Sequence, residues 1–331
     1  MIIVTGATGF IGTRVIAKLA EQHPAEDIIC LVRAVTNKRE AHGREILANL
    51  NLKTIEVDLV TGKGLEQVPR SPELVINLAA NTDTEDGDHS CNDAGVQNLY
   101  QAIQPLRAST HFLQVSTTAL FAGRRNASVP FSEETRPVAT NEYGRSKLRG
   151  EEFIIRQAAV QNFCLTICRL TTVWGKGMRE NSFFDVLRKK VLERSVATRL
   201  NWPGLTDLIH VDDTAELIVK LSGRRAHPGI PGVYTLSTEA MTLAEVNQLI
   251  HGKLGLQFKQ INLPRTFWMI TAASRPLIHS LERLIPARFY NPLWRATLVS
   301  DNVIYADTSK IKEAYPGRKP KLLADYIDDV L

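Results

Sequence analysis

The sequence predicts an α/β protein built on a doubly wound parallel sheet with a smaller, mostly helical C-terminal region. Three observations carry that prediction. The chain opens on an apolar run at Ile2, Ile3 and Val4, followed by glycines at 6, 9 and 12, and then by apolar positions at helical spacing, Val15, Ile16, Leu19 and Ala20. Short runs rich in Val, Ile and Leu then alternate with helical stretches as far as Leu170. Those runs are apolar on consecutive positions, as strands are when helices cover both faces of their sheet.

The expected strands are Ile2–Thr5, Ile28–Val32, Thr54–Val57, Leu74–Leu78, Phe112–Ser116 and Leu165–Leu170. Between them, Thr13–Gln22, Lys38–Leu50, Asn92–Ile103 and Glu142–Val160 are expected as helices. After Leu170 the alternation loosens. Ser182–Arg194 is expected as a helix and Asp207–Val211 as a short strand, with Asp213 capping a helix through Ser222. Val233–Ser237, bracketed by Pro231-Gly232 and Thr238, is a further strand, and Thr242 caps a helix over Leu243–Leu254. Thr308–Ala314 and Leu322–Leu331 close the chain as helices. These elements divide it into a dinucleotide-binding Rossmann-type domain over 1–174, with returning segments near 207–237, and a substrate region over 175–206 and 238–331.

Composition narrows the function classes. The net charge of +5 is mild and its carriers are scattered, which disfavours nucleic acid and suits a phosphate-bearing small molecule. The first strand begins at Met1 and leaves no room for a signal peptide, so a cytoplasmic location is expected. Phe267–Ile285 is the longest apolar stretch near the end, but Arg275, His279, Glu282 and Arg283 interrupt it, so it is not a spanning segment. It is expected as a buried amphipathic helix, with a helix lying on a membrane surface as the alternative. Phe267, Trp268, Met269, Ile270, Leu277 and Ile278 either line an apolar pocket or pack in the core. The four cysteines, Cys30, Cys91, Cys164 and Cys168, form no C-x-x-C pair and are read as reduced thiols; no metal site is expected.

The chemistry is carried by short constellations at strand ends. The strand–glycine turn–helix at Gly6, Gly9 and Gly12 lays a pyrophosphate on a helix N-terminus, and its spacing is G-x-x-G-x-x-G. Asp58-Leu59 ends the third strand, where a carboxylate can accept from an adenine amino group. Ala79 and Ala80 end the fourth with small residues that let a flat cofactor approach the backbone. Tyr143 and Lys147, four apart, share one helix face. A free tyrosine titrates near 10, and a neighbouring lysine cation favours the phenolate, which makes Tyr143 a proton donor and acceptor for a carbonyl or alcohol oxygen. The fifth strand ends in Val115-Ser116-Thr117-Thr118, three hydroxyls from which a substrate oxygen can be held. Strand alternation puts Ser116 and Thr118 on one face and Thr117 on the other. Where an NAD site places an acid on the ribose 2′-hydroxyl, this chain has Arg33, with Lys38 and Arg39 nearby. An arginine suits a 2′-phosphate, so NADP is expected ahead of NAD.

With Thr5-Gly6-Ala7-Thr8-Gly9-Phe10-Ile11-Gly12, Asp58-Leu59, Asn77-Leu78-Ala79-Ala80, Ser116-Thr117-Thr118, the Tyr143/Lys147 pair and His210-Val211-Asp212-Asp213, the chain resembles the extended short-chain dehydrogenase/reductases, the epimerase/dehydratase superfamily. The resemblance implies that Gly6, Thr8, Gly9, Phe10, Ile11 and Gly12 hold the cofactor. It makes Tyr143 the general acid/base and Lys147 the ribose-binding lysine. Aligning Phe121 with the family's usual aromatic places Thr117 at the catalytic hydroxyl position, with Ser116 second. Asn92 is similar to the asparagine that supports a proton-relay water. The segment from Arg169 to Gly175 is similar to the family's nicotinamide-facing stretch, with Thr172 and Val173 presenting backbone; Asp212 and Asp213 are read as shaping the sheet return. Leu31-Val32-Arg33-Ala34 also resembles thioester-reductase members that use NADPH.

Two departures bear on the substrate. Leu170 replaces the family's proline, and Thr206-Asp207-Leu208 replaces the Arg-Asp-Phe of many nucleotide-sugar members, although Arg179 in Gly177-Met178-Arg179-Glu180-Asn181 can restore the lost charge. The expected function is therefore an NAD(P)(H)-dependent oxidoreductase interconverting a carbonyl and a secondary alcohol of a small molecule. The alternatives are a nucleotide-sugar epimerase with tightly bound NAD(P) and a non-catalytic dinucleotide-binding protein. A homodimer is the assembly that the resemblance suggests.

Overall fold

A computed structural model describes residues 1–82, 87–123, 129–224, 226–281, 284–301 and 305–331. In chain order the strands are β1 (Ile2–Thr5), β2 (Ile28–Val32), β3 (Lys53–Glu56), β4 (Leu74–Asn77), β5 (His111–Thr117), β6 (Cys164–Leu170), β7 (Thr172–Trp174), β8 (Leu205–His210), β9 (Gly232–Leu236) and β10 (Glu239–Thr242). The helices are α1 (Gly12–Ala20), α2 (Lys38–Asn49), α3 (Ala94–Ile103), α4 (Glu142–Gln161), α5 (Phe183–Leu192), α6 (Val211–Gly223), α7 (Leu243–Lys253), α8 (Arg265–Ala273), α9 (Arg275–Ser280), α10 (Ala287–Asp301) and α11 (Ser309–Ala314). They form two compact units. One comprises Met1–Leu120, Pro137–Leu170 and Val211–Leu236; the other comprises Phe121–Arg136, Thr171–His210 and Ser237–Leu331.

The first unit is a seven-stranded sheet in the order β3-β2-β1-β4-β5-β6-β9, parallel throughout. Its order reverses between β1 and β4, where Thr5 stands opposite Asn77. A parallel sheet of this kind opens a crevice beyond its carboxyl ends at that point. The six strands expected there lie within one residue of those observed, because continuous apolar runs bounded by turn residues have few other ways to be buried. Ile3, Val75, Phe112 and Leu165 pack against Val96, Leu99 and Ile154 from the covering helices. Asn37 caps α2 at Glu40 N, Asn141 caps α4 at Gly144 N, and Asn162 in the left-handed region ends α4. Helix α3 starts two residues later than expected, because Asp93 takes the cap and Asn92 lies in a 3₁₀ turn. Arg169 on β6 and Glu151 on α4 form a buried, forked ion pair, with Nη2 to Oε2 at 2.8 Å. Helix α6 begins at Val211, so Asp213 lies inside its first turn and does not cap it. Both carboxylates there complement the helix dipole, and Asp212 also accepts from Arg14 Nε on α1 at 2.9 Å.

The second unit holds a three-stranded sheet in the order β10-β8-β7, antiparallel at β10 and parallel at β7. Trp174, Phe184, Leu208, Val246, Ile250 and Leu323 are its core. Thr242 and Glu245 form a full capping box on α7. Two expectations fail here. Leu322–Leu331 is not a helix: Leu323 N donates to Glu239 Oε1 at 2.6 Å, and only Ile327–Val330 makes a 3₁₀ turn. Phe267–Ile285 is not one buried helix either. Pro276, with no N–H and a ring that would strike the turn before it, breaks the run at Ser274 into α8 and α9. Trp268 and Ala272 are buried, while Phe267, Met269, Ile270 and Leu277 are exposed. Glu282 and Arg283 lie outside the described residues. No helix among the described residues is long and apolar enough to cross a membrane.

Asp207 on β8 is buried, accepting from Ser237 Oγ at 3.1 Å and Ala306 N at 2.6 Å. Burial pushes its carboxyl up to about 7, against those two hydrogen bonds. A carboxyl raised on folding favours the folded state while protonated, and that stability is lost as pH rises from the unfolded value, about 4, through about 7. Thermal melts should therefore show a stability loss on the order of 2–4 kcal/mol across that window. Asp207→Asn should flatten it, and an unchanged pH slope in that variant would assign the loss to another group.

Candidate active site

A line of buried hydrogen bonds runs across the carboxyl ends of β1, β4 and β5. Ala79 N donates to Thr5 Oγ1 at 3.1 Å, and Thr5 Oγ1 donates to Asn77 Oδ1. Asn77 Nδ2 donates to Gln114 Oε1 at 2.8 Å, and Gln114 Nε2 donates to the Val115 carbonyl at 2.9 Å. Lys147 Nζ, from α4, donates to the same carbonyl at 3.1 Å. Gln114 belongs to no motif in the sequence, although a polar residue inside an apolar strand run is the signal that marks it.

Lys147 is 3% exposed. Burial pushes its ammonium down to about 8, against weaker opposing pulls from Cys91 and Glu151. Tyr143 lies one turn earlier on α4, half-buried, with the buried His89 ring 5.8 Å from its own. His89 also went unnoticed in the sequence; it is contributed by a loop that carries no motif. Ser146, between Tyr143 and Lys147, is fully buried and donates to the Tyr143 carbonyl at 2.9 Å.

Asn92 is 1% exposed and its amide is fully engaged by protein. Nδ2 donates to Asn81 O at 3.0 Å and to Ser146 Oγ at 3.1 Å, while Oδ1 accepts from Asn81 N at 3.1 Å. The residue thus joins the segment after β4 to α4. Gly150 completes that approach: a Cβ there would stand 2.2 Å from Asn92 O. Of the two hydroxyls at the end of β5, Thr117 Oγ1 accepts from Ala119 N at 3.2 Å, whereas Ser116 Oγ is buried with no partner among the described residues.

The glycine turn is sterically fixed. Gly6 has φ +66°, and a Cβ there would stand 2.8 Å from Ala79 N; a Cβ on Gly12 would stand 2.0 Å from Gly6 O. Gly9 N donates to Gly6 O, closing the turn. The N-terminus of α1, preceded by Thr8, Phe10 and Ile11, has no side-chain cap and no acidic residue in its first turn. Uncapped N–H groups and a positive dipole end suit an anion, so a pyrophosphate fits here.

Around the adjacent strands the fit is more qualified. Asp58 Oδ1 accepts from Val60 N at 2.8 Å and Thr61 N at 3.2 Å, so that oxygen serves the turn. Leu59 is buried, and its carbonyl accepts from Asn98 Nδ2 at 2.8 Å. Ala80, like Ala79, is half-buried at the end of β4. Arg33 is mostly exposed, but its Nε donates to Glu40, which also accepts from Thr36 N and Oγ1 at 2.8 Å each. Burial of Glu40 opposes ionisation, and the bonds from Thr36 and Arg33 outweigh it, holding the carboxyl below its usual range. Thr172 and Val173 are half-buried on β7 in the second unit, opposite Leu208 and Ile209.

The model of the NAD-dependent epimerase/dehydratase family matches residues 2–236, which include every site residue named above. The chain belongs to that family. A dTDP-4-dehydrorhamnose reductase from Mycobacterium tuberculosis is 27% identical over 349 residues, covering 96% of this chain and 97% of the relative. Two fungal polyketide synthase–nonribosomal peptide synthetase hybrids also match, from Pyricularia grisea at 21% identity over 80% of this chain and from Hapsidospora irregularis at 26% over 66%. The chain spans only 7% and 6% of their lengths. Among solved structures, a UDP-glucuronic acid 4-epimerase from Bacillus cereus, in complex with UDP-glucuronic acid and NAD, has a TM-score of 0.72 at 19% identity, covering 99% of this chain and 96% of the other.

The buried Lys147 makes a prediction with two readouts. A lysine whose pKa falls on folding destabilises the fold while charged, and the penalty is relieved as pH rises from about 8 toward 10.5. Lys147→Met should raise stability at pH 7 by roughly 1–3 kcal/mol in chemical denaturation. It should also weaken dinucleotide binding in a direct titration. A less stable variant at pH 7 would mean that the hydrogen bond to Val115 outweighs the burial of the charge.

Proposed function

We propose that this protein is a nicotinamide-dinucleotide-dependent oxidoreductase that interconverts a carbonyl and a secondary alcohol. The observation that carries this reading is the Tyr143/Lys147 pair on one face of α4, with Lys147 buried and anchored on Val115 O at the end of β5. A solvated lysine four residues from a surface tyrosine needs no such anchor. The first unit binds the dinucleotide in this reading and the second the substrate.

The glycine turn and the α1 N-terminus hold the pyrophosphate. Ala79, Ala80, Asp58 and Leu59 flank the adenosine half, and Lys147 holds a ribose. Thr172 and Val173 are assigned to the nicotinamide end on the family resemblance. When bound, the dinucleotide supplies or accepts the hydride. Tyr143 delivers a proton to the carbonyl oxygen in reduction and takes it back in oxidation. Lys147, charged below about pH 8, favours the phenolate left behind. Thr117 and Ser116 offer the hydroxyls that hold the substrate oxygen, and the unpartnered Ser116 Oγ has donor capacity to spare. Asn92 acts through Asn81 and Ser146 to fix α4.

NADP is the preferred cofactor in this reading, because Arg33 presents a guanidinium where NAD sites carry an acid. Glu40 offsets part of that charge, so the preference over NAD is modest. Arg33→Asp should weaken NADPH binding by tenfold or more and spare NADH. Equal NADPH dissociation constants in variant and wild type would remove Arg33 from the cofactor site.

Net reduction is favoured by the full-length similarity to a reductase. Absorbance of added NADPH, followed across ketones, aldehydes and nucleotide-linked keto sugars, should show stoichiometric consumption with one class. Tyr143→Phe should lower kcat by about 10²- to 10⁴-fold while leaving the dinucleotide affinity nearly unchanged. The competing reading is epimerisation of a nucleotide sugar, supported by the similarity to epimerases. It predicts a dinucleotide that co-purifies and shows no net change during turnover. That result, with no carbonyl consuming NADPH, would replace the oxidoreductase assignment.

A further inference from the structure

The second unit carries an apolar surface that its own core does not use. Met269 and Ile270 on α8 are 58% and 71% exposed, and Leu277 on α9 is 64% exposed. Leu284 follows at 77%, and Phe289 and Leu293, four apart on α10, at 55% and 48%. On α8 the exposed positions Arg265, Thr266, Met269, Ile270 and Ala273 fall on one helical face, while the exposed Phe267 lies off it. Trp268 turns inward, its ring 4.8 Å from that of Trp202. Helices α8 and α10 pack on each other, so these residues belong to one layer. Exposed apolar side chains gathered on one layer of packed helices mark an interaction site.

Charge identifies the occupant. From Gly255 to Ser300 the sequence holds six Lys or Arg residues and one acidic residue, Glu282. That excess equals the net charge of the whole chain, +5, so the remainder is neutral overall. Lys259, in the coil before α8, and Arg265, at its first residue, are exposed. An exposed apolar helical face in a segment rich in cations has the composition of a surface that lies in the plane of an anionic bilayer. A second copy of the chain suits it less, because pairing would bring two cationic surfaces together.

We propose that α8–α10 form a docking surface for an anionic lipid bilayer. Met269, Ile270, Leu277 and Leu284 enter the acyl boundary, and Lys259 and Arg265 meet the headgroup phosphates. The attachment is peripheral and independent of the redox reading above.

Co-sedimentation of the full chain with vesicles tests this. Vesicles of phosphatidylcholine with about a third phosphatidylglycerol should sediment the protein, and phosphatidylcholine alone should do so at least tenfold more weakly. Lys259→Gln and Arg265→Gln alter exposed side chains only, and each should lower the partition roughly fivefold. Met269→Asp with Ile270→Asp should abolish it at an unchanged Tm. Failure of wild-type protein to sediment with the anionic vesicles overturns the proposal. So does an aspartate pair that converts a dimer into a monomer, or raises the KM for a carbonyl substrate, while vesicle binding persists.

Discussion

The first unit depends on one shared acceptor, the carbonyl of Val115. It takes a hydrogen bond from Lys147 and one from Gln114, and Gln114 closes a line through Asn77 and Thr5 to the backbone of Ala79. Burying a cation is costly unless hydrogen bonds compensate. Each member of the line donates to the next, so the bonds polarise one another toward the carbonyl that holds the cation. The line also crosses the switch point between β1 and β4, where the sheet opens. Cation placement and strand alignment are therefore one structural problem with one solution.

Backbone approach sets the remaining distances. The turn at Gly6 and Gly12 brings β1, α1 and the end of β4 closer than any side chain allows, and Gly150 does the same for α4 against Asn92. One residue on, the buried Arg169–Glu151 pair fixes α4 to β6. Tyr143 and Lys147 thus ride on a helix held by two contacts. The proton transfer proposed for Tyr143 would need such rigidity, since an ångström of displacement costs orders of magnitude in rate.

The second unit is organised differently. Its small sheet is closed by polar contacts from distant chain segments: the buried Asp207 reaches Ser237 and Ala306, and His210, edge-on to Trp174, contacts the part-exposed Asp329 at 3.0 Å. Helices α8–α10 add a layer that exposes apolar side chains, and their sequence, Arg265–Asp301, holds five Arg residues against two acidic ones. In the two proposed readings, recognition is split between a polar strand-end site and an apolar helical face.

By itself, the sequence determined the parallel sheet, because its continuous apolar runs can be buried only between two helical layers. It also determined the glycine turn and the Tyr143/Lys147 pair, because both are local in the chain and their spacing expresses their geometry. Only the tertiary structure decided what those residues touch. Gln114 and His89 gain their places from β5 and from a loop after β4, and no local pattern announces either. Arg33 reads as a 2′-phosphate-binding cation in the sequence, with Lys38 and Arg39 nearby, yet folding gives it Glu40 as a partner. Phe267–Ile285 reads as core by composition, but Pro276 breaks it and the interior takes only Trp268 and Ala272 from α8. Periodicity records which residues can be buried together; which of them are buried, and against what, follows from contacts between segments far apart in the chain.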